Sequence, residues 1–89
     1  MVGIYRFYAD FGRSGTLEGI FLSTAEDVQD AIGKHVYFGE VLGKFSDIGG
    51  TLTEDDITLV TDEADAVAVF AKYDLSSGYN PLSYINSEE

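Results

Sequence analysis

Residues 35–47 read HVYFGEVLGKFSD, and the rest of the chain is organised around this stretch. Its apolar, aromatic first half predicts a β-strand over residues 35–41. In its second half, Gly39 and Gly43 stand among charged and hydroxyl side chains, which indicates a bent loop. We therefore expect the binding surface of the protein at this loop.

Three further runs of β-branched and aromatic residues predict strands. They are residues 2–9 (VGIYRFYA), 17–22 (LEGIFL) and 57–60 (ITLV). Because both alternating sets of residues 2–9 are largely apolar, we expect that strand to be central and covered on both faces. Residues 43–50 are expected to be irregular, and residues 51–56 to form a turn-rich acidic connection.

A first helix is predicted from Ser23 to Gly33. The Ser23 hydroxyl would cap the first turn, and Glu26 would reach back to complete a capping box. Gly33 is suited to end the helix. The expected apolar stripe consists of Ala25, Val28, Ala31 and Ile32.

A second helix is predicted from Thr61 or Asp62, as the capping residue, to about Tyr73. Its inward-facing residues are expected to be Val67, Phe70 and Ala71. Residues 76–81 (SSGYNP) cannot continue it, because proline lacks the backbone donor. Beyond them, Leu82, Tyr84 and Ile85 are predicted to fold back as an apolar clasp, and residues 86–89 to fray.

The element order ββαββα predicts a single α+β domain over residues 1–89. We expect a small mixed or antiparallel sheet of about four strands, with the two helices packed on one face.

The charge balance is the strongest feature of the composition. Sixteen acidic residues against five basic ones give a net charge of −11. Such a surface repels nucleic acid and anionic membranes, and it attracts basic protein surfaces. We therefore predict a partner protein with a basic surface, and no direct contact with nucleic acid or membrane. The alternatives are that the acidity only keeps a small protein soluble, or that it reflects a host cytoplasm of high salt.

The chain contains no cysteine. Disulfides, thiolate metal ligands and a cysteine nucleophile are therefore excluded, and a reducing, cytoplasmic setting is expected. Arg6 and Asp10 interrupt what would be the apolar core of a signal peptide, so none is expected.

The segment YFGEVLGK at residues 37–44, followed by Ser46 and Asp47, resembles a segment of small acidic proteins without an assigned function, many of them encoded by bacteriophages. Similarity also falls on residues 15–21 (GTLEGIF) and 77–82 (SGYNPL). The family pattern has a histidine where this chain has Phe45, and a glutamate where it has Asp47, so a histidine-dependent role at position 45 is not expected. The resemblance implies a phage-like origin and no defined activity.

Two groups of residues are candidates for binding a ligand or partner. They are Tyr37, Gly39, Glu40, Gly43, Lys44, Ser46 and Asp47 around the loop, and Tyr79 and Asn80 in the C-terminal tail. The loop offers charged groups and glycine-exposed backbone donors, and exposed tyrosines are favoured at interfaces. The alternatives are a solvated loop and tyrosines that only close the core.

Patterns for catalysis and metal binding are incomplete. Gly39 lies at the wrong distance from Gly43-Lys44 for a phosphate-binding loop. His35 has no candidate nucleophile at a known spacing, and residues 54–56 (EDD) lack the rest of a calcium loop. We therefore predict no enzymatic activity, no cofactor and no metal site.

Three function classes remain open at this point. The first is an acidic, phage-type inhibitor that imitates DNA and occupies the basic surface of a host defence or nucleic-acid-binding protein. The second is a protein that sequesters a nucleotide-like small molecule in the loop at residues 39–47. The third is an enzyme, for which 89 residues leave little room, and a structural or accessory protein is the remaining alternative. A homodimer is also predicted, since small domains often bury leftover apolar surface in that way.

Overall fold

The computed structural model describes residues 2–12, 15–39 and 48–85. These residues form six β-strands and two α-helices, followed by a short 3₁₀ helix at Pro81–Tyr84. In chain order the elements are β1 (Val2–Asp10), β2 (Thr16–Thr24), α1 (Ala25–Ala31), β3 (His35–Gly39), β4 (Ile48–Thr51), β5 (Ile57–Thr61), α2 (Ala64–Lys72) and β6 (Ser77–Gly78). The predicted α+β class and the order ββαββα are confirmed, with β4 and β6 as additions.

The main sheet is antiparallel and has the strand order β5-β1-β2-β6. β1 and β2 pair without interruption from Val2 opposite Thr24 to Asp10 opposite Thr16. β5 adds to the other edge of β1, with a register shift between Ile4 and Tyr5. β1 is therefore a central strand, as predicted. A second, two-stranded sheet pairs β3 with β4.

One face of the main sheet carries the hydrophobic core. Tyr5 and Phe7 of β1 and Phe21 of β2 are buried on this face. Their cluster also includes Val28 and Ala31 of α1, Val36 and Phe38 of β3, Ile48 of β4, and Leu17, Leu52 and Ile57. The layer formed by α1 and the β3–β4 sheet thus covers this face.

α2 covers part of the opposite face. Side chains alternate along a strand, so Ile4 and its partner Leu22 point away from Tyr5 and Phe21. Ile4 and Phe70 of α2 are buried but do not belong to the core cluster. The expectation that both helices pack on one face is therefore wrong.

The second half of β1 is covered on one face only. Arg6 and Tyr8 are exposed, whereas Phe7 between them is buried. The prediction that the whole strand is covered on both faces therefore fails beyond Tyr5. The Arg6 guanidinium lies 3.3 Å from Glu18 and 5.2 Å from the centre of the Tyr8 ring, which keeps this part of the face polar.

α1 begins one residue later than predicted. β2 continues through Ser23 to Thr24, and the Thr24 hydroxyl accepts the capping hydrogen bond from the Asp27 amide at 3.1 Å. Val28 and Ala31 are buried as expected, but Ala25, the first residue of the helix, is exposed.

α2 begins at Ala64, also later than predicted. The Thr61 hydroxyl accepts a hydrogen bond from the Glu63 amide at 3.2 Å, so it caps the turn before the helix. Phe70 is the buried residue of this helix, whereas Ala71 is exposed and the prediction that it faces inward is wrong. α2 thus contacts the sheet through a narrow stripe.

β4 was not expected, because residues 43–50 were predicted to be irregular. Residues 48–50 form a strand with Thr51, and Gly50 pairs with Val36 of β3. The rest of the predicted irregular segment, residues 43–47, lies outside the described residues, as do residues 40 and 41 of the predicted third strand. The tail at residues 86–89 lies outside them too.

The C-terminal segment closes the core. β6 pairs with β2 through Gly19 opposite Gly78, and a Cβ atom on Gly19 would lie 2.1 Å from the Tyr79 carbonyl oxygen. This contact leaves no room for a side chain at Gly19. Beyond it, Leu82, Tyr84 and Ile85 pack against the core cluster, which confirms the predicted apolar clasp.

Candidate functional site

A pocket of about 250 Å³ lies between the C-terminal end of β1 and the β3–β4 sheet, and we call it the Phe38 pocket. The described residues that line it are Phe7, Ala9, Asp10, Phe11, Val36, Phe38, Gly50, Thr51, Leu52, Thr53 and Asp56. Its floor is apolar, because Phe7, Val36, Phe38 and Leu52 belong to the buried core. The pocket therefore reaches from the surface down to the core.

Aromatic rings form one wall of the Phe38 pocket. Phe7 and Phe38 stack with ring centres 5.8 Å apart, and the Phe11 ring meets Phe38 edge-on at 6.4 Å. β1 and β3 supply the first two rings at inward-facing positions, and Phe11 follows directly after β1. Such offset and edge-on contacts fix the orientation of the rings.

Gly50 provides much of the open space. It pairs with Val36, and paired residues of antiparallel strands point to the same face, so a Gly50 side chain would point toward the pocket. A Cβ atom at Gly50 would meet no described atom within 4 Å. At Gly49, by contrast, a Cβ atom would lie 2.7 Å from the Val36 carbonyl oxygen. Close packing thus requires a glycine at position 49, whereas the glycine at position 50 leaves unfilled space in the pocket.

Two carboxylates stand at the rim. One oxygen of Asp10 accepts a hydrogen bond from the Gly12 amide at 2.8 Å, and one oxygen of Asp56 accepts from the Thr53 amide at 3.0 Å. These bonds hold both side chains in place. In the described part of the chain, the second oxygen of each carboxylate accepts no hydrogen bond. The rim can therefore accept hydrogen bonds from a cationic group.

Five predicted loop residues lie outside the described residues. They are Glu40, Gly43, Lys44, Ser46 and Asp47. Gly39 ends β3 with a left-handed φ of 79° and is half-buried, and Tyr37 is 52% exposed. Because Tyr37 lies between the buried Val36 and Phe38, its ring points away from the core and away from the Phe38 pocket.

The two predicted tail residues have structural contacts. The Tyr79 ring lies edge-on to Phe38 at 5.8 Å and 6.0 Å from Tyr84, so it helps to close the core. The Asn80 side chain accepts a hydrogen bond from the Leu82 amide at 3.0 Å and caps the 3₁₀ helix. Asn80 also lines a second cavity, of about 420 Å³, between α2 and the β2–β6 edge. Their role in binding stays a prediction.

Sequence reasoning missed the residues that shape the Phe38 pocket, in particular Phe11, Gly50 and Asp56. One signal was available, because Ile48, Gly50 and Leu52 alternate as in a strand with one apolar face. A glycine at the middle position of that pattern indicates a missing side chain on the core side of the strand.

In the part of the chain that the structure describes, three other features bear on function. No group of three or more His, Asp or Glu side chains there is arranged to hold a metal ion. None of the described helices has the length and apolar character needed to cross a membrane. His35 is exposed at the start of β3.

The arrangement at the Phe38 pocket is suited to binding. It combines an apolar aromatic floor with hydroxyl and carboxylate groups at the rim, the pattern of a small recognition site. Comparison of the chain with family models, with curated proteins and with solved structures finds no match.

Proposed function

We propose that this chain is a non-enzymatic acidic binding protein, a phage-type inhibitor that acts in the host cytoplasm. It docks onto the basic surface of a host defence or nucleic-acid-binding protein. The observation that supports this proposal is that nearly all carboxylates of the described residues are exposed and that none apart from Glu18 forms an ion pair with another described residue.

The acidic side chains of the described residues support this proposal. Twelve of the sixteen carboxylates lie there, and all of them are exposed except Asp56, which is half-buried. The described basic residues are Arg6, Lys34 and Lys72, and the one ion pair among the described residues joins Arg6 to Glu18. The electrostatic field of carboxylates that neighbouring cations do not neutralise attracts a basic partner and speeds the encounter with it.

The docking end of the molecule is the one at which the Phe38 pocket opens. Asp10 and Asp56 stand at its rim, and the exposed Glu54 and Asp55 precede Asp56 in the same turn. Two carboxylates thus line an opening to the core, and two more stand next to one of them in the chain. Interfaces with a buried apolar centre and a charged rim have this arrangement.

The test compares two charge variants. Glu54→Gln/Asp55→Asn neutralises the pocket end, and Glu26→Gln/Asp30→Asn removes the same charge from α1, so each changes the net charge from −11 to −9. A partner is captured from host cells with the unaltered protein and identified by mass spectrometry. Its affinity for all three proteins is then measured at low and high salt.

We expect a partner with a basic surface, binding that weakens as salt rises, and a larger loss for the pocket-end variant than for the α1 variant. An affinity that does not change with salt would contradict charge-driven docking. Equal losses for the two variants would contradict the choice of the pocket end.

A second candidate function is the sequestering of a nucleotide-like small molecule at the loop of residues 39–47. The observation that favours it is the 52% exposure of Tyr37 next to this loop, because exposed aromatic rings stack on nucleobases. A thermal-shift screen of nucleotides tests it, with Tyr37→Ala as the comparison. A ligand at a hundredfold excess over its Kd adds about 2.7 kcal/mol of stability, so an unchanged Tm with every nucleotide would count against it.

The predicted homodimer is a separate proposal. Sedimentation equilibrium of the purified protein tests it, and a single species of monomer mass at all concentrations would reject it.

A further inference from the structure

We infer that the Phe38 pocket receives one arginine side chain of the basic partner. The inference rests on the proposed function and names the group that the partner inserts. It is drawn from the size of the pocket, from its lining and from the unused carboxylate oxygens at its rim.

The size of the pocket matches a single side chain. Its volume is about 250 Å³, and a cavity of about 150 Å³ is enough to hold a benzene ring. The pocket is deep because the residue paired with Val36 is Gly50, which has no side chain to fill the space. An extended side chain from outside can therefore reach the core residues.

The lining favours arginine over lysine. The methylene stem of either side chain can pack against the apolar floor. The guanidinium group, however, is planar and weakly hydrated, and it stacks on aromatic rings. Phe11 is the half-buried ring at this pocket, whereas Phe7 and Phe38 are almost completely buried. The ammonium group of lysine is strongly hydrated and loses more on entering an aromatic pocket.

The rim favours a donor-rich, positive group over an apolar or a negative one. Asp10 and Asp56 each keep one carboxylate oxygen that accepts no hydrogen bond in the described part of the chain. An apolar side chain inserted by the partner would cover these oxygens without donating hydrogen bonds to them, and burying an acceptor without a donor is unfavourable. A phosphate or carboxylate ligand would be repelled by both residues. Guanidinium groups bind carboxylates with paired hydrogen bonds, so arginine satisfies the rim and the floor together.

The probe is the blocked tripeptide N-acetyl-alanyl-arginyl-alanine amide. The matched peptides carry citrulline, which keeps the shape without the charge, or lysine. Each is titrated into the ¹⁵N-labelled full chain, and the amide shifts are followed by NMR. The same titrations are run on Gly50→Val, which fills the pocket, and on Asp30→Asn, which removes a charge from α1 outside the pocket lining.

We expect shifts that saturate and are concentrated at the amides of Phe11, Gly50 and Thr51. The citrulline peptide should bind about tenfold more weakly or worse, a ratio that corresponds to about 1.4 kcal/mol. Gly50→Val should lose binding while its spectrum stays dispersed, and Asp30→Asn should bind normally. Equal binding of the arginine and citrulline peptides, shifts spread over the acidic surface, or undiminished binding by Gly50→Val would each overturn the inference.

The outcome also separates this inference from the proposed function. If a basic partner is captured in a salt-dependent manner but Gly50→Val captures it equally well, the pocket assignment fails and acidic docking stands. If no basic partner binds although the arginine peptide does, the pocket assignment stands and the proposed function fails.

Discussion

Substitution of Gly50 by valine is expected to make the protein more stable. The new side chain would point toward the Phe38 pocket, where a Cβ atom meets no described atom within 4 Å. Full burial of a valine side chain contributes about 1.5–3 kcal/mol, and replacing a glycine within a strand adds about 0.5–1 kcal/mol. Because the pocket is open on one side, we expect a net gain of about 1–3 kcal/mol in the free energy of unfolding.

Urea unfolding followed by circular dichroism measures this gain, with the m-value as a check that the transition has kept its character. The melting temperature should rise by about 4–8 °C for each kcal/mol gained in a domain of this size. The matched control is Gly49→Val on the same strand, where a Cβ atom would lie 2.7 Å from the Val36 carbonyl oxygen. That variant should lose about 1–3 kcal/mol, because the backbones must move apart.

A loss of more than about 1 kcal/mol in Gly50→Val would refute the reasoning, since it would mean that the position is already filled. A gain in stability together with a loss of arginine-peptide binding would show that the unfilled space at Gly50 lowers the stability of the protein but is needed for binding. Such a trade-off between stability and function is common at binding sites.

Three further substitutions test the packing, each by urea unfolding against the unaltered chain. Gly19→Ala should destabilise by about 1–3 kcal/mol or more, because its Cβ atom would lie 2.1 Å from the Tyr79 carbonyl oxygen; an unchanged midpoint would mean that the C-terminal segment does not cross there. Phe38→Ala should cost about 3–5 kcal/mol, since its ring contacts Phe7, Phe11, Tyr79 and Tyr84; a loss below 1 kcal/mol would contradict this central position. Thr24→Ala should cost about 1 kcal/mol through loss of the α1 cap, whereas Ser23→Ala should cost less; the reverse order would restore Ser23 as the capping residue.

The local patterns of the sequence were sufficient for most elements. The apolar runs of β1, β2 and β5 and the helical spacing of α1 and α2 identified these elements to within a few residues. β4 was missed because Gly49 and Gly50 resemble loop residues when read alone. Their strand conformation depends on pairing with Val36 and Tyr37, which is a tertiary contact.

The placement of α2 and the Phe38 pocket could not be read from the sequence. The apolar stripe of α2 is consistent with packing on either face of the sheet. Only the tertiary structure places Phe70 outside the core cluster, around one cavity with Ile20 and Leu22. The pocket depends on the register that sets Gly50 opposite Val36, and a shift by one residue would turn Gly50 away from the core.

The rings around Phe38 come from parts of the chain that are synthesised far apart. Phe7 and Phe11 are made early, whereas Tyr79 and Tyr84 follow only after every strand of both sheets. On the ribosome, β1 and β2 can pair while Phe38 still lacks half of its neighbours, so the nascent chain carries an uncovered aromatic surface. Such late-closing, non-local contacts slow folding and invite association with other incomplete chains. The aromatic cluster around Phe38 can therefore close only after the segment around Tyr84 has been made.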